Sequence, residues 1–306
     1  MMLRVITAFV ALAVVLPILF LGGVPGVQVL CVAAACLGLW EYGGMRGSSP
    51  GNRIFAMVLA ALPILAAGMN LAPTPDAEIL AGMQRLLVDK SPPPVVSPVG
   101  ADFVLLAMGI VFLAIPIASV LRPKDIEKAP ERIAATLFGV IYLGFTLSFC
   151  VSLRALPNGL AWICVGLAVV WLGDTGAYLG GRALGRHKLH ERVSPKKTWE
   201  GAISGLLTSV AGALVMREAF RHLDLWDGPP LRIADCVAVG VFAGILGQVG
   251  DLAESLLKRA VGVKDSGTMF PGHGGMLDRI DALLFALPGV YFYAKFVIAW
   301  FPLTQA

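Results

Sequence analysis

Apolar stretches of about 17–25 residues recur along the whole chain, each long enough to cross the hydrocarbon core of a bilayer as a helix. About nine such runs can be traced, near residues 4–22, 25–43, 53–72, 101–121, 134–153, 159–180, 202–219, 234–257 and 282–302. They are continuously apolar, not alternating, which selects helices over a barrel. Of the 306 residues, 57% are hydrophobic and 14% charged, far from the balance of a soluble domain. The expected fold class is all-α, a polytopic integral membrane helical bundle of about nine transmembrane helices. The first run has a competing reading as a cleaved signal peptide, because Arg4 precedes it. Bulky Phe20-Leu21, however, closes it where small residues would mark a cleavage site.

Basic residues set the expected orientation. With the N-terminus inside, the inner segments hold 17 of the 24 Lys and Arg residues, which predicts an N-in, C-out topology. This places the chain in the cell (inner) membrane as a multi-pass protein, with its polar clusters on the cytoplasmic side. The net charge of +4, gathered on one face, points to anionic lipid or nucleotide phosphates and not to a nucleic acid. Cys31, Cys36, Cys150, Cys164 and Cys236 lie in or beside apolar runs without metal-type spacing, and read as small membrane-helix side chains.

The chain divides into residues 1–155, structural and lipid-facing, and residues 156–306, catalytic, with motif loops at about 171–201 and 251–281. The first part offers spans and connectors, with no ionisable group deep in a helix. Its longest polar connector, 73–100, carries Pro73, Pro75 and Pro92-Pro93-Pro94 and reads as an irregular outer loop. The segment from Arg122 to Arg132 mixes both charges and suits a solvated loop or an interfacial helix. No internal repeat is evident.

The second part is different. Lys258, Arg259, Lys264, Asp265, His273, Asp278, Arg279 and Asp281 fall within one short stretch of a very apolar protein. Charge is costly near a bilayer, so such a cluster needs a chemical use. Asp251, Ser255 and Lys258 or Arg259 share one face of the eighth span. Asp278 and Asp281 are spaced i, i+3. Asp174 sits near the inner end of the sixth span. Carboxylates of this kind suit a hard cation bridged to phosphate oxygens. Ordinary pairing, Asp251 with Lys258 or Asp174 with Arg182, is the competing reading.

Ser194-Pro195-Lys196-Lys197 reads as the N-cap and first turn of a helix, an anion-binding end in which two lysines would meet phosphate. Positive-inside lysines are the simpler alternative. The four histidines are too scattered for zinc, and His273, inside Pro-Gly-His-Gly-Gly, suits a phosphate donor or a proton-transfer group. Together these parts suit phosphoryl or nucleotidyl transfer, which needs charge neutralisation and alignment more than covalent help.

Ser255-Leu-Leu-Lys258-Arg259, Lys264-Asp265, Gly267, Pro271, His273-Gly274-Gly275, Asp278-Arg279 and Asp281 resemble the signature of the phosphatidate cytidylyltransferases, or CDP-diacylglycerol synthases. Gly173–Tyr178, Gly181-Arg182 and Ser194–Gly201 are similar to that family's bacterial members. The likeness covers roughly residues 171–281. It implies that CTP and phosphatidic acid give CDP-diacylglycerol and pyrophosphate in phospholipid biosynthesis. It implies Mg2+, with a monovalent cation such as K+ as a further expectation, and allows a homodimer. Asp251 and Asp278, then Asp281 and Asp174, would be metal ligands. Asp251, Asp278, Lys258 and His273 would form the catalytic group. Ser194, Lys196, Lys197, Ser255, Arg259, Lys264, Gly274, Gly275 and Arg279 would bind substrate. The competing functions are a related CTP-dependent membrane lipid kinase and a cation-coupled transporter. The carboxylates' place near one face, away from the bilayer middle, disfavours the transporter.

Overall fold

A computed structural model describes residues 13–69, 99–123, 125–223, 225–226, 231–269 and 274–297. The helices are α1 (Gly23–Met45), α2 (Pro50–Met69), α3 (Val99–Leu121), α4 (Ala129–Gly139) and α5 (Thr146–Arg154). They continue as α6 (Gly159–Leu184), α7 (Trp199–His222), α8 (Ile233–Ala260) and α9 (Leu277–Phe292). A π-helical segment, Val140–Phe145, joins α4 to α5 without a break. Seven stretches are long and apolar enough to cross a membrane: α1, α2, Phe103–Leu121 of α3, Ile126–Arg154, α6, α7 and α8. The chain is thus an all-α, multi-pass membrane protein. The first expected run is described from residue 13 and the last up to residue 297, while the 73–100 connector falls almost wholly outside the described residues. The Arg122–Arg132 segment forms an exposed turn at Ile126–Lys128 that leads into α4.

The outer surface is apolar. On α3, Leu105, Leu106, Phe112 and Leu113 are all exposed, as suits helices whose solvent is lipid. Without a hydrophobic drive between helices, association rests on close approach. α6 and α7 show this. A Cβ on Gly205 would stand 2.8 Å from the Gly173 carbonyl oxygen, and one on Gly212 would stand 2.8 Å from that of Ala168. Hydroxyls fill the seam: Ser209 donates to the Val169 carbonyl at 2.8 Å and Thr208 to that of Leu172 at 2.8 Å.

The connectors after α1, α3, α6 and α8 gather at one end of the bundle. Arg46 pairs with Glu131 at 3.2 Å, which joins the first two. Glu41, near the end of α1, reaches Met276 and Leu277 ahead of α9. Arg259 reaches the Val193 carbonyl in the connector after α6.

One sequence expectation is overturned here. Ser194-Pro195 does not start a helix. Ser194–Thr198 is a strand, β2, paired antiparallel with β1 (Lys188–His190) in a small hairpin. The helix N-cap is Thr198, whose hydroxyl accepts from the Gly201 amide at 3.2 Å. Pro195 is tolerated because a two-stranded hairpin is all edge, and Thr198 is the residue that meets an amide three positions on, as an N-cap must. Lys196 and Lys197 therefore project from a strand.

Substitution Gly212→Val should force α6 and α7 apart at a backbone contact. A loss of roughly 1–3 kcal/mol, read as a lower unfolding midpoint in detergent, is expected. An unchanged midpoint would show that the seam is loose.

Candidate active site

Helix α8 supplies the centre of the site. Its small residues face α9: a Cβ on Gly250 would lie 2.6 Å from the Asp281 carbonyl oxygen, so the two helices touch where their carboxylates begin. Lys258 then extends between Glu254, one turn back on α8, and Asp278, whose Oδ1 it meets at 2.6 Å. Glu254 is wholly buried, and neither of its oxygens has an aligned hydrogen-bond donor. The Lys258 ammonium is the one cation within ion-pair distance of its carboxyl group among the described residues. A buried carboxylate without that partner would be strongly unfavourable.

Asp278 orders the loop before α9. Its Oδ2 accepts from the Ser266 amide at 2.9 Å, the Ser266 hydroxyl at 2.8 Å and the Gly275 amide at 2.7 Å. The residue lies ahead of the apolar run that starts at 282. Burial would raise its carboxyl, but Lys258 and these donors override that and hold it at about 2. Gly274 has φ +80°, and a Cβ there would stand 2.5 Å from Asp278 Oδ2. Both facts demand glycine.

The loop has a second anchor that the sequence reading passed over. Glu41 of α1 is buried. Its carboxylate accepts from the Met276 amide at 2.9 Å and the Leu277 amide at 3.0 Å, the free donors that open α9. The Ser266 hydroxyl lies 3.1 Å from it. A Cβ on Gly267 would approach Glu41 Oε1 to 2.6 Å, and one on Gly275 would approach Oε2 to 2.3 Å. The first part thus contributes a buried carboxylate to this loop, from the last turns of α1 and not from deep in the helix. The signal was present in the sequence as a glutamate inside an apolar run. It was masked by its position four residues from the helix end.

A second carboxylate group lies beside this network. Asp251 pairs with Lys197 of β2 at 2.6 Å, and the Ser255 hydroxyl stands 3.5 Å from its other oxygen. Asp251 interacts electrostatically with Asp174 of α6 and with Asp281 of α9, and Asp174 also feels Lys197 and Arg279. Asp174, Asp251 and Asp281 therefore come from three helices to one neighbourhood. The simple pairings are not the ones formed: Asp251 meets Lys197, not Lys258, and Arg182 contacts the Tyr178 hydroxyl, not Asp174.

Other expected site residues divide by their surroundings. Lys196 and Lys264 are exposed, and no carboxylate lies within ion-pair distance of either among the described residues. Arg259 donates to the carbonyls of Val193 and Val263 and so ties the hairpin to the loop. The Gly275 amide is engaged by Asp278. Ser194 lies in the hairpin, opposite His190. His273 falls outside the described residues.

Among the described residues, no group of three or more His, Cys, Asp and Glu is drawn close enough to enclose a metal as it stands. The donor chemistry nonetheless fits a hard cation. Three aspartates share a neighbourhood with Lys197 as the one directly paired cation among the described residues, and carboxylate oxygens are the ligands Mg2+ takes.

Comparison with known proteins adds a second line. The sequence pattern of the cytidylyltransferase family matches residues 2–297. The chain belongs to the cytidylyltransferase family. Relatives include the phosphatidate cytidylyltransferase of Staphylococcus haemolyticus strain JCSC1435, 33% identical over 293 residues, covering 94% of this chain and 96% of that protein. The phosphatidate cytidylyltransferase of Staphylococcus aureus strain COL is 33% identical over 290 residues, with the same coverage. That of Brucella suis biovar 1 is 43% identical over 156 residues, 51% of this chain and 55% of that protein. Within this cytidylyltransferase, the match takes in Glu41 together with the carboxylates and lysines of the second part.

Substitution Lys258→Met should leave Glu254 buried and unpaired, lowering stability by roughly 3–5 kcal/mol. Adding Glu254→Gln should restore most of the unfolding midpoint. Failure of the second change to rescue would contradict the pairing. Glu41→Ala should speed amide exchange at Met276 and Leu277 while leaving that of α3 unchanged. Equal exchange in variant and parent would refute the anchor.

Proposed function

We propose that this chain transfers the cytidylyl group of CTP to phosphatidic acid, giving CDP-diacylglycerol and pyrophosphate. The reading is carried by full-length similarity to phosphatidate cytidylyltransferases, joined to a cluster of carboxylates and lysines at one end of a membrane bundle. On this reading the chain has about nine transmembrane helices, N-in and C-out, in the cell membrane, with this end facing the cytoplasm. The Lys and Arg residues in or beside the connectors that meet at that end support the orientation.

The site's position suits both reactants. A diacyl lipid arrives sideways, with its phosphate at the water border. CTP, a soluble polyanion, arrives from the cytoplasm. A lipid phosphate oxygen forms a bond to the α-phosphorus of CTP as the bond from that phosphorus to the bridging oxygen breaks, and pyrophosphate leaves with the electron pair. Phosphatidate is already ionised near neutral pH, so no general base is required. Lys196, Lys197, Lys264 and Arg279 stand to meet the phosphates, and cations aimed at the developing charge lower the barrier. Lys258 holds Asp278, which in turn anchors Ser266 and Gly275. His273 is assigned to the phosphates. Asp174, Asp251 and Asp281 would hold Mg2+, and a monovalent ion such as K+ would take further carboxylate oxygens; both oxygens of Asp278, also expected as a ligand, are engaged by Lys258, Ser266 and Gly275. Mg2+ when bound neutralises phosphate charge and fixes the triphosphate.

With α-labelled CTP the label should enter the lipid product, and with γ-labelled CTP it should leave as pyrophosphate. Entry of γ label into lipid would instead support the lipid-kinase reading. Asp251→Asn and Asp281→Asn should each lower kcat by roughly 10²–10³, and chelation should stop turnover until Mg2+ is restored. Wild-type turnover in either variant would refute the assignment.

A further inference from the structure

A cavity of about 1170 Å³ lies between α1, α2, α3 and α4, at the same end of the bundle as the site but lined by none of its carboxylates. It faces α1 from Tyr42 and Arg46. Glu41, the next residue back from Tyr42, is turned by about 100° around the helix and engages the loop before α9.

The lining carries more basic than acidic side chains. Arg46, Arg53, Arg122, Lys128 and Arg132 line it against two carboxylates, Asp125 and Glu131. Both carboxylates are already matched: Glu131 with Arg46 at 3.2 Å, and Asp125 with Arg132 at 3.9 Å. Among the described residues, no carboxylate lies within ion-pair distance of Arg53, Arg122 or Lys128. Arg53 is also held in place. Its Nε donates to the Ser48 carbonyl at 2.9 Å, and its guanidinium lies 5.0 Å over the Trp40 ring. Its stem fills the space a Cβ on Gly43 would take, 2.8 Å away. The terminal nitrogens of an arginine fixed in this way form a ready fork for phosphate oxygens.

One part of the wall is apolar, with Leu39, Phe55, Ile115 and Ala118, while Ser48, Asn52, Ser119 and Thr136 also line the cavity. It runs out to Leu121, which is 75% exposed on the lipid-facing surface of α3. A basic ring at the water border that opens onto an apolar wall matches one class of molecule, a phosphate ester carrying an acyl chain.

We propose that this cavity binds an anionic phospholipid, with its phosphate against Arg53, Arg122 and Lys128 and an acyl chain along the Phe55–Ile115 wall. The site is separate from the carboxylate cluster, and the proposal does not depend on the transferase reading.

The test is equilibrium lipid retention by the purified full chain, read by native mass spectrometry. The probes are dioleoylphosphatidylglycerol and dioleoylphosphatidylcholine. The parent should hold one phosphatidylglycerol in preference to phosphatidylcholine. Each basic residue near an anionic headgroup contributes roughly a fivefold gain, so the triple variant R53Q/R122Q/K128Q should bind on the order of 100-fold more weakly. Ala118→Trp leaves every charge in place and fills the wall. It should also lose the lipid, which keeps the test sound should the triple variant misfold. Asp251→Asn should retain the lipid as the parent does. Parent-like affinity in the triple variant, equal retention of phosphatidylcholine, or loss in Asp251→Asn would each overturn the proposal. So would displacement by millimolar inorganic phosphate, which would mean that the acyl chain adds nothing.

Discussion

One ammonium group holds the polar end of this bundle together. Lys258 balances Glu254, which is wholly buried, and meets Asp278 at 2.6 Å. A charge removed from water is stable only when matched and further hydrogen-bonded. Asp278 meets that condition with three donors from Ser266 and Gly275. The loop before α9 is therefore held by an ion pair, and at Gly267, Gly274 and Gly275 a carboxylate occupies the space a side chain would need. A polar network of this kind works as a unit, since a half-satisfied one is worse than none.

Two lysines sort the carboxylates into separate tasks. Lys258 takes Glu254 and Asp278, which order the loop. Lys197 takes Asp251, which stands with Asp174 and Asp281 where a cation and phosphates would meet. The hairpin that carries Lys197 is pinned to α8 by this pair and by the Arg259 contact with Val193. Glu41 then extends the network to α1, so the two parts of the chain share one polar end.

Much of this was legible in the sequence, and the exceptions have physical causes. Membrane crossing was plain from run length, because a bilayer tests that property alone. The cluster from Lys258 to Asp281 stood out because charge is rare in such a chain. The pairing within it was not legible. Asp251 and Lys258 share a helix face, yet Asp251 pairs with Lys197 of the hairpin, and Lys258 with Asp278 of α9 and with Glu254 one turn back. The Ser194-Pro195 pattern fits a helix start equally well as local chemistry, and only the pairing of 188–190 with 194–198 decided for a strand. Glu41 was missed because its partners are backbone amides more than 230 residues away, and no local pattern encodes such a contact.

The proposed function requires Asp174, Asp251 and Asp281, drawn from three helices, to act as one cation-binding group. Mn2+ binding followed by electron paramagnetic resonance measures this without turnover. Saturable binding by the parent, lost in both Asp251→Asn and Asp281→Asn and retained in Arg53→Gln, is the expected result. Undiminished Mn2+ binding in either aspartate variant would contradict it.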